Sequence, residues 1–317
     1  HIQRHANARV NPPRPLAIGT AVMLIALSLL HPAVSQAPAD LDVVPAAVGF
    51  DWFYLFAYKL LDVIPGGQLW LFIIGGFFLL ALMPWLPPEK PAPAAVVSLD
   101  NCNGCRRCFD DCPFSAISMV PRSDGKAYDL EAVVNVDNCL SCGICVGACP
   151  TATPFRRATS IVAGIELPDR TVAQLRDDTV AAADRFNGGT RILVYACRTC
   201  GFNVEEGAGT ETITLPCIAM LPPSFIDFVL SRGLADGIAL AGCAEEDCYY
   251  RLGDKWMGQR LRGERDPYLR KRVDKERLTH WHLRPTSSRG QRKALAEFTA
   301  DIAKLPSNPP RGGRRNA

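Results

Sequence analysis

Eight cysteines fall into two copies of one spacing. Cys102, Cys105, Cys108 and Cys112 run into Pro113, and Cys139, Cys142, Cys145 and Cys149 run into Pro150. Each copy reads C-x2-C-x2-C-x3-C-P, a spacing whose thiolates suit a [4Fe-4S] cubane. A cubane needs four thiolates around it, and three cysteines in a short loop can cap three of its irons. Gly104 and Gly143 sit inside the loops, where a missing Cβ lets backbone amides come close. Pro113 and Pro150 turn the chain away after each run. Zinc would take cysteines in pairs rather than in four-membered runs. A disulfide framework gives no reason for an internal repeat closed twice by proline.

The paired runs resemble the two-cluster, bacterial-type ferredoxin family over residues 96–158, with a longer insert between the runs. The resemblance implies that each run lends its fourth cysteine to the other cluster. Cys102, Cys105, Cys108 and Cys149 would then hold the first [4Fe-4S] cluster. Cys139, Cys142, Cys145 and Cys112 would hold the second. Residues 115–120 and 132–136 read as strands, joined by a hairpin turn at Ser123-Asp124-Gly125-Lys126.

The other five cysteines lie further along. Residues 167–186 have helical periodicity. Residues 191–196 read as a strand running into Cys197-Arg198-Thr199-Cys200-Gly201. A second strand, 212–215, precedes Cys217. A helix at 223–232 and a third strand at 237–241 lead to Gly242-Cys243 and, five residues on, Cys248. A fourth strand at 278–283 and a helix at 291–305 follow. Strands alternate with helices and cysteines gather at strand ends, which predicts an α/β sheet with its site at the carboxyl edge.

Tyr195-Ala196-Cys197, Cys200, Cys217 and Gly242-Cys243-Ala244-Glu245-Glu246-Asp247-Cys248-Tyr249-Tyr250 resemble the delta-subunit family of methyl-viologen-reducing hydrogenases over residues 190–305. Tyr249 stands where that family often has His. The resemblance implies a [2Fe-2S] cluster on four of Cys197, Cys200, Cys217, Cys243 and Cys248, with the fifth left over. A structural zinc is the alternative for the same thiols. His280 and His282 lie outside the cysteine loops and read as ordinary strand residues.

The N-terminal part is apolar. Residues 16–30 and 68–86 are uncharged runs, and Trp70 and Trp85 near the ends of the second suit a membrane's aromatic belts. Arg4, Arg9 and Arg14 precede the first run, the connection at 31–50 has no Lys or Arg, and Lys90 follows the second. A hairpin with both ends inside is therefore expected. For the first run a signal peptide, cut near Ala33-Val34-Ser35-Gln36-Ala37, is the alternative. Residue 1 is His rather than Met, so the chain is expected to lack its true start. Between the runs, Phe50-Asp51-Trp52-Phe53 and the residues up to Pro65 resemble the quinol-site segment of cytochrome b, with residues 11–87 similar to the start of that family's C-terminal half. The resemblance implies Asp51 as quinol proton acceptor beside Trp52, a bound quinone, and a haem-bearing partner similar to the N-terminal half of cytochrome b. An N-cap is the plainer role for Asp51. The five histidines give no haem ligand within a span, so no haem is expected on this chain alone.

Together these readings predict a multidomain chain. A two-helix membrane hairpin with a short interfacial helix fills 1–87, and a Pro-rich linker fills 88–95. A ferredoxin-like α+β two-cluster domain fills 96–158, an α/β domain 159–305, and a disordered tail 306–317. Lys and Arg total 35 against 32 Asp and Glu, which names no nucleic acid or other strongly charged partner. The expected function is a membrane-bound electron-transfer subunit linking a quinone site to a cytoplasmic flavoprotein or heterodisulfide-reductase-like oxidoreductase. The expected location is the cytoplasmic membrane, in contact with lipid, with both termini and all clusters on the cytoplasmic side. An anchoring subunit without quinone contact and a processed, secreted ferredoxin-like protein are the alternatives.

Overall fold

The computed structural model describes residues 14–30, 42, 60–83, 92–156, 161–202, 204, 209–244, 247–283, 288–306 and 308. They divide into two units, one within 11–91 and one within 92–317.

The first unit holds α1 (Arg14–Leu30) and α2 (Gly66–Leu82), each of 17 residues. Proline cannot continue a helix and disfavours helical backbone in the residue before it. Pro32 and Pro84 stand just beyond the two ends. At 1.5 Å per residue each helix is about 26 Å long, short of the roughly 30 Å hydrocarbon core. No helix among the described residues is long and apolar enough to cross a membrane. The expected membrane hairpin is thereby overturned, and with it the placement in the cytoplasmic membrane and the lipid contact. The apolar run at 68–86 is long only when counted through Pro84. The short helix expected after Phe50 lies mostly outside the described residues, which resume at Leu60.

The second unit begins with β1 (Val96–Val97) and the single-turn α3 (Arg107–Asp110). β2 (Ile117–Pro121) and β3 (Leu130–Val134) form the antiparallel hairpin, with Ser118 opposite Val133. Gly125 turns it at φ +72°. Helix α4 (Ile144–Ala148) is buried at every residue. β4 (Ile165–Glu166) returns to pair with β1.

Helix α5 (Val172–Asp184) starts at a capping box: Thr171 Oγ1 accepts from the Gln174 amide at 3.2 Å, and Gln174 Oε1 accepts from the Thr171 amide at 2.8 Å. β5 (Ile192–Cys197), β6 (Thr210–Leu215), α6 (Pro223–Ser231), β7 (Gly237–Cys243), α7 (Gly253–Arg262), β8 (Leu278–Leu283) and α8 (Ser288–Lys304) complete the unit. The four strands make one parallel sheet in the order β6-β5-β7-β8. The central strands β5 and β7 are buried along their whole length, as covering both faces with helices requires. β5 leads to β6 on one side, and the chain then crosses back to β7 on the other. That reversal opens a crevice at the carboxyl edge.

One side chain ties the ferredoxin-like part to this sheet. Arg260 of α7 is fully buried. Its Nη1 donates to Ala219 O at 2.7 Å, and its Nη2 donates to Asp111 Oδ2 at 2.5 Å and Ile144 O at 3.3 Å. Asp111 Oδ1 also accepts from Arg265 Nε at 2.8 Å, and Arg265 lies 4.1 Å over the Trp256 ring. Burial pulls the Arg260 guanidinium below its ordinary pKa, against the opposing pull of Asp111. Arg260→Ala leaves Asp111 and two carbonyls without their buried partner, a loss of about 3–5 kcal/mol. Denaturant unfolding should show that loss, and a double change, Arg260→Met with Asp111→Leu, should recover the part due to the stranded charge.

Candidate metal centres

The ligand loops have the same backbone twice. Positive φ falls two and four residues after the first cysteine of each run: Gly104 (+65°) and Arg106 (+64°), then Ser141 (+52°) and Gly143 (+75°). Glycine takes the first of these positions in one loop and the second in the other. Both glycines are also needed for space. A Cβ on Gly104 would lie 2.3 Å from Leu130 O, and one on Gly143 would lie 2.7 Å from Met220 Cγ.

These loops fold around two hollows. One is lined by Cys102, Cys105, Cys108 and Cys149. The other is lined by Cys112, Cys139, Cys142 and Cys145. Each hollow thus gathers three cysteines of one run and the fourth of the other. None of the thirteen cysteines is joined in a disulfide.

Burial and crowding set the thiol chemistry. Burial, then the neighbouring charges of Cys149, Cys105 and Cys102, push the Cys108 thiol up to about 12. Burial, with Cys112 and Cys139, pushes Cys142 up to about 12. Burial raises Cys145 well above its ordinary value, and both Cys142 and Cys108 add to the rise, so the two hollows are neighbours. Hydrogen bonds already point at sulfur: the Ala116 amide reaches Cys112 Sγ at 3.2 Å and the Ala95 amide reaches Cys139 Sγ at 3.4 Å. Crowded thiols that resist ionisation alone, with amides aimed at their sulfurs, fit a cationic iron-sulfur core.

The C-terminal cysteines meet at the crevice. Cys197 ends β5, Cys243 ends β7, and Cys217 follows β6. The sulfurs of Cys197 and Cys243 are 3.7 Å apart. Four sulfurs form a ring. Cys197 and Cys248 are held well below the ordinary thiol value because each accepts from Cys217 and then from Cys243. Cys217 and Cys243 are pushed up as the donors. Cys200 is buried beside the ring, and burial pushes it up to about 11, with backbone amides opposing the rise and the charge of Cys197 adding to it. Four sulfurs hydrogen-bonded to one another around one point are a donor set ready for metal.

The ring touches the second hollow's wall. The 3-10 turn Ile218–Met220 follows Cys217 directly, and Met220 covers Gly143. A Cβ on Gly253 would lie 2.2 Å from Cys217 Sγ and 3.4 Å from Ile144 Cδ1. Tyr250 has its phenol pushed up by burial, then by Cys142 and Cys217, so it stands beside both sites. Asp51 and Trp52 lie outside the described residues.

The fold and thiols define an iron-sulfur protein of the electron-transfer class. Residues 101–153 match the family described as 4Fe-4S dicluster domain, and residues 192–306 match methyl-viologen-reducing hydrogenase, delta subunit. The chain binds 4Fe-4S and is similar to iron-sulfur subunits of heterodisulfide reductases and hydrogenases. One relative belongs to the ferredoxin:CoB-CoM heterodisulfide reductase of Methanosarcina mazei and is 31% identical over 68% of this chain. The match spans 26% of that relative's length. Another is the iron-sulfur component of the F420-non-reducing hydrogenase vhc of Methanococcus voltae, 28% identical over 35% of this chain and 81% of the relative. Both family matches lie beyond residue 100, so neither supports the cytochrome-b-like reading of the N-terminal part, its quinone or its haem-bearing partner.

The geometry around Gly253 makes a direct test. Gly253→Ala drives a methyl group into Cys217 Sγ, so metal at the C-terminal ring should be lost. The roughly eight irons of the ferredoxin motifs should remain. Metal analysis and EPR of the reduced protein check both counts.

Proposed function

We propose that this chain is the electron-transfer subunit of a larger oxidoreductase, carrying electrons between two [4Fe-4S] clusters and a [2Fe-2S] cluster. Cys102, Cys105, Cys108 and Cys149 hold the first cubane. Cys112, Cys139, Cys142 and Cys145 hold the second. Cys197, Cys217, Cys243 and Cys248 hold the [2Fe-2S] cluster, and Cys200 is the fifth cysteine left over. The clusters supply one-electron steps at potentials set by hydrogen bonds and burial.

The observation that carries this reading is the buried seam between the second hollow and the sulfur ring. Gly143 under Met220, and Ile144 and Cys217 either side of Gly253, leave no room for a side chain between them. The first hollow adjoins the second through Cys108 and Cys145. The second adjoins the ring in turn, and all three centres lie within one unit. The protein's residues hold the thiolates, exclude water from the seam and aim amides at the sulfurs.

The partner proposed is a flavin-bearing, heterodisulfide-reductase-like protein, on the delta-family resemblance and the names of the relatives. Identification of co-purifying subunits tests it. A quinone link through Asp51 and Trp52 is left without support once the membrane hairpin is gone.

A second reading of the ring alone is a structural zinc. Four thiolates around one tetrahedral ion with bonds near 2.3 Å stand about 3.7 Å apart, and Cys197 and Cys243 show that spacing. About ten irons per chain are expected for the cluster reading. About eight irons and a sulfur-bound zinc would favour the other.

The wiring has its own test. Cys112→Ala should destroy the cluster on Cys139, Cys142 and Cys145 and spare the one on its sequence neighbours. At the ring, Cys200→Ala should keep the C-terminal signal that Cys217→Ala abolishes. Loss of the nearer cubane in Cys112→Ala would refute the crossed ligation.

A further inference from the structure

We propose that Asp254, His280 and His282 form a separate site for one zinc-class divalent ion. Asp254 opens α7 and is 1% exposed. Its Oδ1 lies 3.0 Å from His280 Nε2 and its Oδ2 lies 2.7 Å from His282 Nδ1. One donor atom from each residue falls within 4.8 Å of the others.

The backbone builds this arrangement. His280 and His282 are two apart on the edge strand β8, so both rings leave the same face. Their ring centroids are 4.5 Å apart. On the neighbouring strand β7, Gly242 stands opposite His282. A Cβ on Gly242 would lie 1.8 Å from Asp254 Oδ1 and 2.9 Å from His280 Nε2. The pocket that receives the carboxylate therefore exists only because residue 242 has no side chain. Asp254 is held in it by its own backbone as well, since its amide donates to Cys248.

The donor set selects the ion. Two imidazoles and one carboxylate suit zinc and its first-row neighbours, whereas magnesium and calcium take all-oxygen sites. Bonds of about 2.0–2.2 Å place tetrahedral donors roughly 3.3 Å apart, a spacing that donors now within 4.8 Å of one another reach by small side-chain shifts. Metal would take the ring nitrogens that now face Asp254, and each imidazole would carry its proton on its other nitrogen. His282 is 46% exposed and provides the entry path, leaving a fourth position for water. The ion would pin β8 to the start of α7, directly beside the sulfur ring.

The test uses the full chain with its iron-sulfur clusters in place. Equilibrium dialysis against Zn²⁺ should give one bound zinc per chain beyond any present at purification. Zinc-edge X-ray absorption should show nitrogen and oxygen at about 2.0–2.1 Å, without sulfur at 2.3 Å. His282→Ala changes an exposed side chain and should leave the iron content unchanged. It should weaken zinc binding by more than the roughly 10–100-fold that an outer-shell change costs. No zinc uptake by the wild type would mean a hydrogen-bonded Asp–His pair only and would overturn the proposal. So would sulfur-bound zinc alone, or unchanged uptake in His282→Ala.

Discussion

Arg260 is the constraint on which the larger unit depends. A guanidinium taken out of water loses several kcal/mol of solvation and regains it only through close partners. Its partners here come from three separated stretches: Asp111 between two cysteines of the first run, the Ile144 carbonyl that opens α4, and the Ala219 carbonyl after Cys217. No one of these can move without stranding the others. The close approach also explains Gly147, whose Cβ would lie 1.9 Å from Ala219 O. The ion pair thus fixes the distance between the ferredoxin-like loops and the sheet that carries the sulfur ring.

That distance makes the two sequence families one cooperative object. All five residues of α4 are buried, and they face the turn after Cys217 rather than solvent. A domain cut between residues 158 and 159 would expose Ile144, Val146 and Met220 together. Local stability follows buried contact, so the seam belongs with the most protected parts of the chain.

The sequence was legible where chemistry is local. Ligand spacing gave the cysteine runs, and the hairpin, the four parallel strands and α5 followed from periodicity and turn residues. It was less legible where composition had to be weighed against a breaker. The run at 68–86 is apolar throughout, yet Pro84 limits α2 to 17 residues. Helix α7 left a weak pattern, because its segment is polar and its largest fully buried side chain is Arg260. β1 and β4 are two residues long, too short for any alternation to register. His280 and His282 read as plain strand residues. Both do lie on β8, and the proposed site rests on their spacing of two, which puts both rings on one face, combined with a glycine opposite.

The sulfur ring has a consequence for how the protein is assembled. Only thiolates ligate metal, so every ligand that begins as a thiol must give up a proton. At the ring, hydrogen bonds pull Cys197 and Cys248 down and push Cys217 and Cys243 up. In the ferredoxin hollows Cys108, Cys142 and Cys145 start protonated at neutral pH. Protons are therefore competing ligands at all three centres. The acidity of the surroundings during maturation bears on how readily iron displaces them.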